Sequence, residues 1–232
     1  MTIRRFAGGV TCEEIVAKSV LNRVAGMPFG WSINPYRGCF HRCVFCYARR
    51  THTFLERSGI GDWGTQLSVK INAPLVLRRE LANPRWKGDH VAIGTATDPY
   101  QPVEGRYRIT RGILVELARA GTGAHLITRS PLVVRDIDVL QELARAAGAG
   151  VCISLPTLDE ALARKIELLA PAISNAGRQP SNCEYPWAGP DGVIQVPAEH
   201  NFGLDLLHEK AGRHLLKVLY TAAQELTRSQ PA

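Results

Sequence analysis

Residues 34–47 read Asn34-Pro35-Tyr36-Arg37-Gly38-Cys39-Phe40-His41-Arg42-Cys43-Val44-Phe45-Cys46-Tyr47, and they place three cysteines within eight residues. Thiolates hold iron–sulfur clusters, and a [4Fe–4S] cube normally takes four of them. A compact group of three therefore predicts a cube in which one iron is left for an outside ligand. The spacing of Cys39, Cys43 and Cys46 predicts a metal-binding loop whose open iron carries the chemistry.

A structural zinc site is the main alternative for these cysteines. Zinc sites usually combine two Cys-x-x-Cys turns or add histidines at helical spacing, and only one such turn is present here. His41 lies between the cysteines and His52 follows them, so a Cys3His site stays open as the less favoured interpretation. Disulfides are less favoured still, because six cysteines are few for a secreted scaffold of 232 residues and no signal-peptide pattern is found.

The pattern Cys-x-x-x-Cys-x-aromatic-Cys resembles the signature of the radical S-adenosylmethionine (SAM) enzymes. The resemblance implies that Cys39, Cys43 and Cys46 hold a [4Fe–4S] cluster, that SAM chelates the open iron, and that Phe45 packs near the adenine. It also implies reductive cleavage of SAM to methionine and a 5'-deoxyadenosyl radical, which abstracts hydrogen from a substrate. Such an enzyme takes its electron from a donor such as flavodoxin or ferredoxin. An ordinary core position is the alternative for Phe45.

Three further stretches narrow the resemblance to the bacterial radical SAM proteins related to spore photoproduct lyase. They are residues 25–38, residues 94–102 and residues 128–132, and the resemblance covers about residues 12–170. One departure weakens a DNA-repair assignment. Those lyases are associated with a hydrogen-donating cysteine downstream of the cluster loop, and Thr95-Ala96-Thr97-Asp98 contains none. The substrate, the catalytic residues and the oligomeric state stay open.

Composition is that of a globular chain. The sequence is 45% hydrophobic and 21% charged, and it contains no apolar run of membrane-spanning length. We therefore expect no membrane partner. Reduced thiols favour a cytoplasmic location.

Positive charge is concentrated near the cysteines. The formal net charge is +7, and residues 1–90 hold 14 Lys and Arg against 6 Asp and Glu. Arg37, Arg42, Arg49 and Arg50 surround the loop. They either contact the phosphates of a nucleic acid, or offset the charge of thiolates and a SAM carboxylate on a solvated face.

The chain alternates strand and helix from residue 31 onward. The sequence predicts strands over residues 31–35, 67–71, 90–96, 124–128 and 150–155, and helices over residues 44–57, from 73, 107–120, 136–147 and 157–169, with Asn72 as a helix cap. Strands joined by helices require a parallel sheet. We therefore predict an α/β fold, an open parallel β/α barrel of five to six strands.

We divide the chain into an N-terminal extension (1–30), a core (31–170) and a divergent C-terminal segment (171–232). The last segment is rich in Pro, Gly, Asn and Ser, with a candidate sixth strand over 192–196 and a terminal amphipathic helix over 204–228.

Functional residues of a β/α barrel lie at the carboxyl ends of its strands. The cysteine loop, Thr95, Thr97 and Asp98, Arg129 and Ser130, and Ser154 all follow predicted strands and are candidate cofactor contacts. Arg129 suits a carboxylate. Turn or cap chemistry is the alternative for the threonines, Asp98 and Ser130. Cys152 is either a small buried hydrophobe or a hydrogen donor facing the barrel interior.

The sequence is compatible with three functions. They are a radical SAM enzyme, a module that binds cluster and SAM without catalysis, and a basic nucleic-acid-binding protein with a structural metal.

Overall fold

Two β-sheets organise the chain in the computed structural model, which describes residues 2–5, 10–55, 61–154 and 165–166. In chain order the strands are β1 (Thr2–Arg5), β2 (Thr11–Ile15), β3 (Leu21–Arg23), β4 (Trp31–Ile33), β5 (Tyr36–Arg37), β6 (Gln66–Lys70), β7 (Val91–Ile93), β8 (Ala124–Thr128) and β9 (Ala149–Ile153). The helices are α1 (Ala73–Leu81), α2 (Glu104–Tyr107), α3 (Ile109–Arg119) and α4 (Ile137–Ala147), with 3-10 helices over Tyr47–Leu55 and Pro131–Asp136.

The larger sheet has the order β3-β4-β7-β8-β9. Strands β4, β7, β8 and β9 run parallel, and β3 pairs with β4 in the antiparallel sense. All three residues of β7 are buried, as its continuous apolar run predicts. Helices α2 and α3 connect β7 to β8, and α4 connects β8 to β9. This arrangement confirms the predicted open β/α architecture.

The smaller sheet differs from the prediction. It has the order β1-β2-β6-β5. Strand β6 is the predicted second strand of the barrel, but it pairs with β2 and β5, and β4 lies directly beside β7 in the larger sheet. Four of the five residues of β6 are buried, and such a strand needs neighbours on both edges. The N-terminal segment supplies one of them, because β2 runs parallel to β6 from Thr11 to Ile15.

Several helix boundaries also differ. Residues 44–57 form only the 3-10 helix Tyr47–Leu55, in which Thr51 and Thr53 donate their hydroxyls to carbonyls three residues back. Such back-bonding competes with a regular α-helix. The predicted helix 107–120 is split at Arg108, which has a φ of +51°, and it ends before Gly121 as predicted.

Asn72 does not act as the predicted cap. It lies at the start of α1 without a side-chain cap bond, and its amide instead pairs with both backbone groups of Ala17 at 2.8 and 2.9 Å. The long-range contact joins the N-terminal segment to α1. The predicted strand 192–196 and helix 204–228 lie outside the described residues, as does helix 157–169 apart from residues 165–166. No described helix combines the length and apolarity needed to cross a bilayer.

Lys70 is buried at the end of β6, where its Nζ donates to the carbonyl of Asn34 at 2.8 Å. Burial lowers the pKa of Lys70 to about 8, with a further decrease from Arg37 and an opposing effect of Glu80. Between that value and the ordinary 10.5, the unfolded chain holds a proton that the folded chain has released. The free energy of unfolding should therefore rise with pH across this window, by at most about 3 kcal/mol.

Lys70→Met is expected to lack this rise. Urea unfolding of both proteins at about pH 7.5 and about pH 10 measures it, and comparing the two removes the contributions of other titrating groups. A stability difference between the two proteins that stays constant with pH would contradict the assignment.

Candidate functional site

The three cysteines lie close together at the carboxyl edge of the parallel sheet. Cys39 and Cys43 are buried, and Cys46 is partly buried. Cys39 packs with Ala48 and Trp63, and Cys46 packs against this cluster. The Cys43 thiol is near enough to interact electrostatically with both of the others. The fold thus brings together the three residues that the spacing singled out.

Backbone contacts hold the cysteine loop in shape. The Arg49 guanidinium donates to the carbonyl of Cys43 at 2.8 and 3.1 Å and to that of Arg42 at 3.2 Å. The N–H of Val44 donates to the carbonyl of Ile166 at 2.9 Å. Arg49 is therefore a structural part of the loop, and its role as a phosphate contact or counter-charge stays a prediction.

Gly38 lies directly before the first cysteine, at a position where there is no room for a side chain. Its φ is +79°, and a Cβ there would lie 2.7 Å from the carbonyl oxygen of Gln66 and 2.9 Å from His52 Nε2. Its own carbonyl accepts a bond from Thr97 Oγ1 at 2.6 Å. Gln101 donates to Thr97 Oγ1 at 3.0 Å and accepts from the N–H of Phe40 at 2.8 Å. The segment after β7 thus fixes the start of the loop.

Thr97→Val keeps the shape of the side chain but removes this hydrogen bond. We expect it to lower the free energy of unfolding by about 1 to 3 kcal/mol, because it removes a donor to a buried carbonyl. Urea unfolding measures the change. Thr53→Val is the matched control, since Thr53 makes a similar bond on the exposed 3-10 helix. Unchanged stability together with weaker SAM binding would instead support Thr97 as a cofactor contact.

Asp98 joins three segments beneath the loop. Its buried carboxylate accepts bonds from Thr128 Oγ1 at 2.6 Å, the N–H of Arg129 at 2.9 Å and the N–H of Tyr100 at 2.8 Å, and His41 Nε2 lies 3.3 Å away. Burial by itself raises the pKa of Asp98, but His41 and these hydrogen bonds outweigh it, and the pKa is held below its ordinary value. Thr97 and Asp98 support the loop, and their contact with SAM stays a prediction.

Asn34 is a site residue that the sequence reasoning missed. Its side chain donates to Thr95 Oγ1 at 3.2 Å and accepts from the N–H of Ala96 at 2.7 Å. Tyr47 also reaches this segment, because its hydroxyl donates to the carbonyl of Thr95. The available signal was position, since Asn34 directly follows β4 at the carboxyl edge.

Arg129 brings together three of the predicted site residues. Its guanidinium lies 5.4 Å from the centre of the Phe45 ring and donates to Ser154 Oγ at 3.0 Å. It is also near enough to the Cys43 thiol to act electrostatically on it. The Phe45 ring is 50% exposed, which does not fit the alternative of an ordinary core aromatic.

Ser130 has the cap role that was its alternative. Its hydroxyl accepts from the N–H of Leu132 at 3.3 Å at the start of the 3-10 helix Pro131–Asp136. Its N–H donates to Thr128 Oγ1 at 3.0 Å. Cofactor contact by Ser130 and by Thr95 stays a prediction.

The two histidines of the Cys3His alternative have other neighbours in this fold. A zinc ion draws all its ligands to about 2.0 to 2.3 Å from one point, whereas the thiolates of a cube each bind a different iron. Within the described part of the chain, no three His, Cys, Asp or Glu side chains converge on one point in this way. His52 stacks on Trp63 at a centroid distance of 4.8 Å, and His41 faces Asp98. The iron–sulfur interpretation and the Cys3His alternative therefore both stay predictions.

Burial disfavours the charged form of two of the thiols. It raises the pKa of the Cys39 and Cys43 thiols, and at Cys43 the Arg129 guanidinium opposes the increase. A metal centre binds thiolates and displaces their protons. Two sulfurs shielded from water, with a guanidinium beside one of them, form a donor set that a positively charged iron centre would stabilise.

Comparisons with known proteins show the family to which the chain belongs. A family model described as the radical SAM superfamily matches residues 33–171. An uncharacterized protein of Mycobacterium tuberculosis strain H37Rv is 43% identical over 162 residues, which cover 68% of this chain and 48% of the relative. An uncharacterized protein of Acidianus two-tailed virus is 34% identical over 147 residues, or 61% of this chain and 47% of the relative. The chain thus spans about half the length of these relatives.

Among solved structures, spore photoproduct lyase complexed with dinucleoside spore photoproduct matches with a TM-score of 0.41 and 13% sequence identity. The match covers 74% of this chain and 58% of the lyase chain.

Proposed function

Because this chain belongs to the radical SAM superfamily, we propose that Cys39, Cys43 and Cys46 hold a [4Fe–4S] cluster and that the chain uses it to cleave SAM reductively. The observation that carries the proposal is the group of three adjacent thiols at the carboxyl edge of the parallel sheet, next to Arg129. The substrate that then loses a hydrogen atom is not identified by these residues.

The cluster, when bound and reduced, supplies the electron that breaks a carbon–sulfur bond of SAM. The chain's own residues position the reactants and limit access of water. Cys39 and Cys43 lie in a buried part of the loop, and Arg49 and Thr97 hold the loop backbone in place. A rigid loop keeps the open coordination position in one orientation toward the strand ends.

SAM is expected to lie along the carboxyl ends of β4, β7, β8 and β9. The exposed face of Phe45 is available for the adenine, and the ordered guanidinium of Arg129 lies beside it. Thr95 and Ser154 add hydroxyl groups near the same edge. These residues are the proposed cofactor contacts, and contact of Thr97, Asp98 and Ser130 with SAM is proposed as well.

The proposed reaction needs a partner that supplies single electrons, such as a flavodoxin or a ferredoxin. The described cysteines are not joined in disulfides, which agrees with a reducing compartment such as the cytoplasm.

Low-temperature EPR tests the proposed function. The full chain is purified without oxygen, reconstituted with iron and sulfide, and reduced with dithionite, with and without SAM. A [4Fe–4S] signal that shifts on addition of SAM is the expected result. A cluster signal that does not change on addition of SAM would instead indicate a redox module. Zinc in place of iron would indicate a structural metal site.

A second candidate function is binding of single-stranded nucleic acid, favoured by exposed aromatics beside the loop. Phe54 is 86% and Tyr47 68% exposed on the 3-10 helix that also carries the exposed Arg50. Bases stack on such rings, and arginines contact phosphates.

If this surface binds nucleic acid, Phe54→Ala should weaken binding of a fluorescent single-stranded oligonucleotide by roughly 5-fold or more, since one base stack contributes about 1 to 3 kcal/mol. Fluorescence anisotropy measures the affinity, and raised salt should weaken it further. Leu75→Ala, which removes an exposed apolar side chain from α1, is the control. Equal affinity of wild type and Phe54→Ala would exclude this surface.

A further inference from the structure

Arg129 is fixed at the end of β8 by its backbone. Its N–H donates to Asp98 Oδ2 at 2.9 Å, and the neighbouring Thr128 hydroxyl donates to the other oxygen of the same carboxylate at 2.6 Å. The carboxylate is buried, so these bonds are shielded from water. The position of the Arg129 Cα is therefore set by the sheet and not by the side chain.

The side chain points from this anchor to the cysteine loop. Ser154 Oγ accepts one guanidinium bond at 3.0 Å, the centre of the Phe45 ring lies 5.4 Å from the guanidinium, and the guanidinium is near enough to act electrostatically on the Cys43 thiol. Phe45 and Cys43 come from the cysteine loop, whereas Ser154 follows β9. The guanidinium thus joins the loop to the far edge of the larger sheet.

A cation held beside a ligand sulfur affects the two redox states of a cluster unequally. Reduction adds one negative charge, so a guanidinium stabilises the reduced cluster more than the oxidised one and raises the reduction potential. Hydrogen bonds to the sulfurs and net charge are among the factors that set cluster potentials. The direction follows from charge alone.

The other arginines of the loop are placed differently. Arg49 directs its guanidinium to the carbonyls of Cys43 and Arg42, and Arg50 is exposed to solvent. A solvated charge is screened and has a smaller effect on a buried centre.

We propose that Arg129 is a positioning residue whose positive charge, held beside Phe45 of the cysteine loop by its bond to Ser154, raises the reduction potential of the cluster. This inference rests on the proposed function, because it requires a cluster on Cys43. It differs from the expectation that Arg129 only binds a carboxylate, since it predicts an effect in the absence of SAM.

The test is an EPR-monitored redox titration of the reconstituted full chain without SAM. At the wild-type midpoint potential, Arg129→Gln should lower the ratio of reduced to oxidised cluster on the order of tenfold, because a positive charge beside the cluster is lost. Arg129→Lys keeps the charge and should show a smaller decrease. Arg50→Gln removes an equal charge from the 3-10 helix that follows the loop and should leave the ratio near the wild-type value.

An Arg129→Gln protein with wild-type iron content and an unchanged midpoint would overturn the inference and leave the proposed function intact. If Arg129→Gln takes up no iron, the midpoint potential of Ser154→Ala is measured instead, because this variant keeps the guanidinium but removes its hydrogen-bond partner. A smaller decrease in the midpoint potential supports the inference, and an unchanged midpoint potential overturns it. A wild-type chain that binds no cluster overturns the proposed function and this inference together.

Discussion

Replacing any one of Cys39, Cys43 or Cys46 by Ala is expected to abolish cluster binding and with it all reductive cleavage of SAM. Each thiolate of the proposed site holds one iron, and the chain offers three where a closed site has four. Loss of one ligand leaves two open irons, and the remaining pair cannot retain the cube. The expected effect is complete loss, because the three thiolates act as a unit.

Iron and sulfide per chain after reconstitution measure the first effect, and chromatographic detection of 5'-deoxyadenosine measures the second. Cys152→Ala is the matched control, since it removes a thiol from β9 and should leave cluster content and SAM cleavage unchanged. Retained SAM cleavage in any of the three loop variants would falsify the proposed mechanism.

Arg135→Ala is expected to cost about 3 to 5 kcal/mol of folding free energy, the largest effect we expect for a residue outside the loop. Arg135 bonds Glu104 Oε1 at 2.9 Å and Asp136 at 2.7 and 2.8 Å. Both carboxylates are completely buried, with 0% exposure. Removing the arginine leaves two buried negative charges, of which only Asp136 keeps another arginine partner, Arg111 at 3.1 Å.

The hydrogen bonds around Arg135 also extend to the cysteine loop, so the substitution should affect cluster binding as well as stability. The hydroxyl of Tyr36, just before the cysteine loop, donates to Glu104, and that of Tyr100, just after Asp98, donates to Asp136 at 3.0 Å. Burial raises the pKa of both tyrosines, with a further increase from these carboxylates. Both phenols thus stay protonated as donors. Arg135→Ala should therefore lower cluster occupancy as well as stability.

Urea unfolding of the reconstituted protein measures the stability change. Arg78→Ala is the control: Arg78 pairs with Glu116 through two bonds of 2.7 and 2.8 Å, but its side chain is 58% exposed. An ion pair whose arginine is solvated contributes little to stability. Equal losses in the two variants would show that burial of the Arg135 network adds nothing.

Local sequence patterns predicted the elements whose residues carry their own signals. Strand β8 occupies residues 124–128 as expected, and β6 differs from its predicted range by one residue at each end. Helix α3 ends before Gly121, where the positive φ suits glycine. The order of strands and helices then led to the parallel sheet and to the edge at which the cysteine loop lies.

Long-range partners decided the roles that the sequence left open. Asn72 caps nothing and instead bonds Ala17, which is 55 residues away in the chain. Gln101 and Asn34 support the site through bonds to residues more than 60 positions away. The sequence shows that a residue can donate or accept a hydrogen bond, but it does not show whether the partner lies in the next turn or on a distant strand. Sequence patterns alone could therefore not assign these roles.

The sequence by itself therefore determined the three cysteines, their shared loop and the α/β class, because cysteine spacing and hydrophobic periodicity are local properties of the chain. Only the tertiary structure decided that β6 belongs to a second sheet, that Thr97 and Asp98 hold the loop from below, and that Arg129 reaches Cys43, Phe45 and Ser154 together. Those outcomes depend on which distant groups meet when apolar surface is buried and polar groups must still find partners.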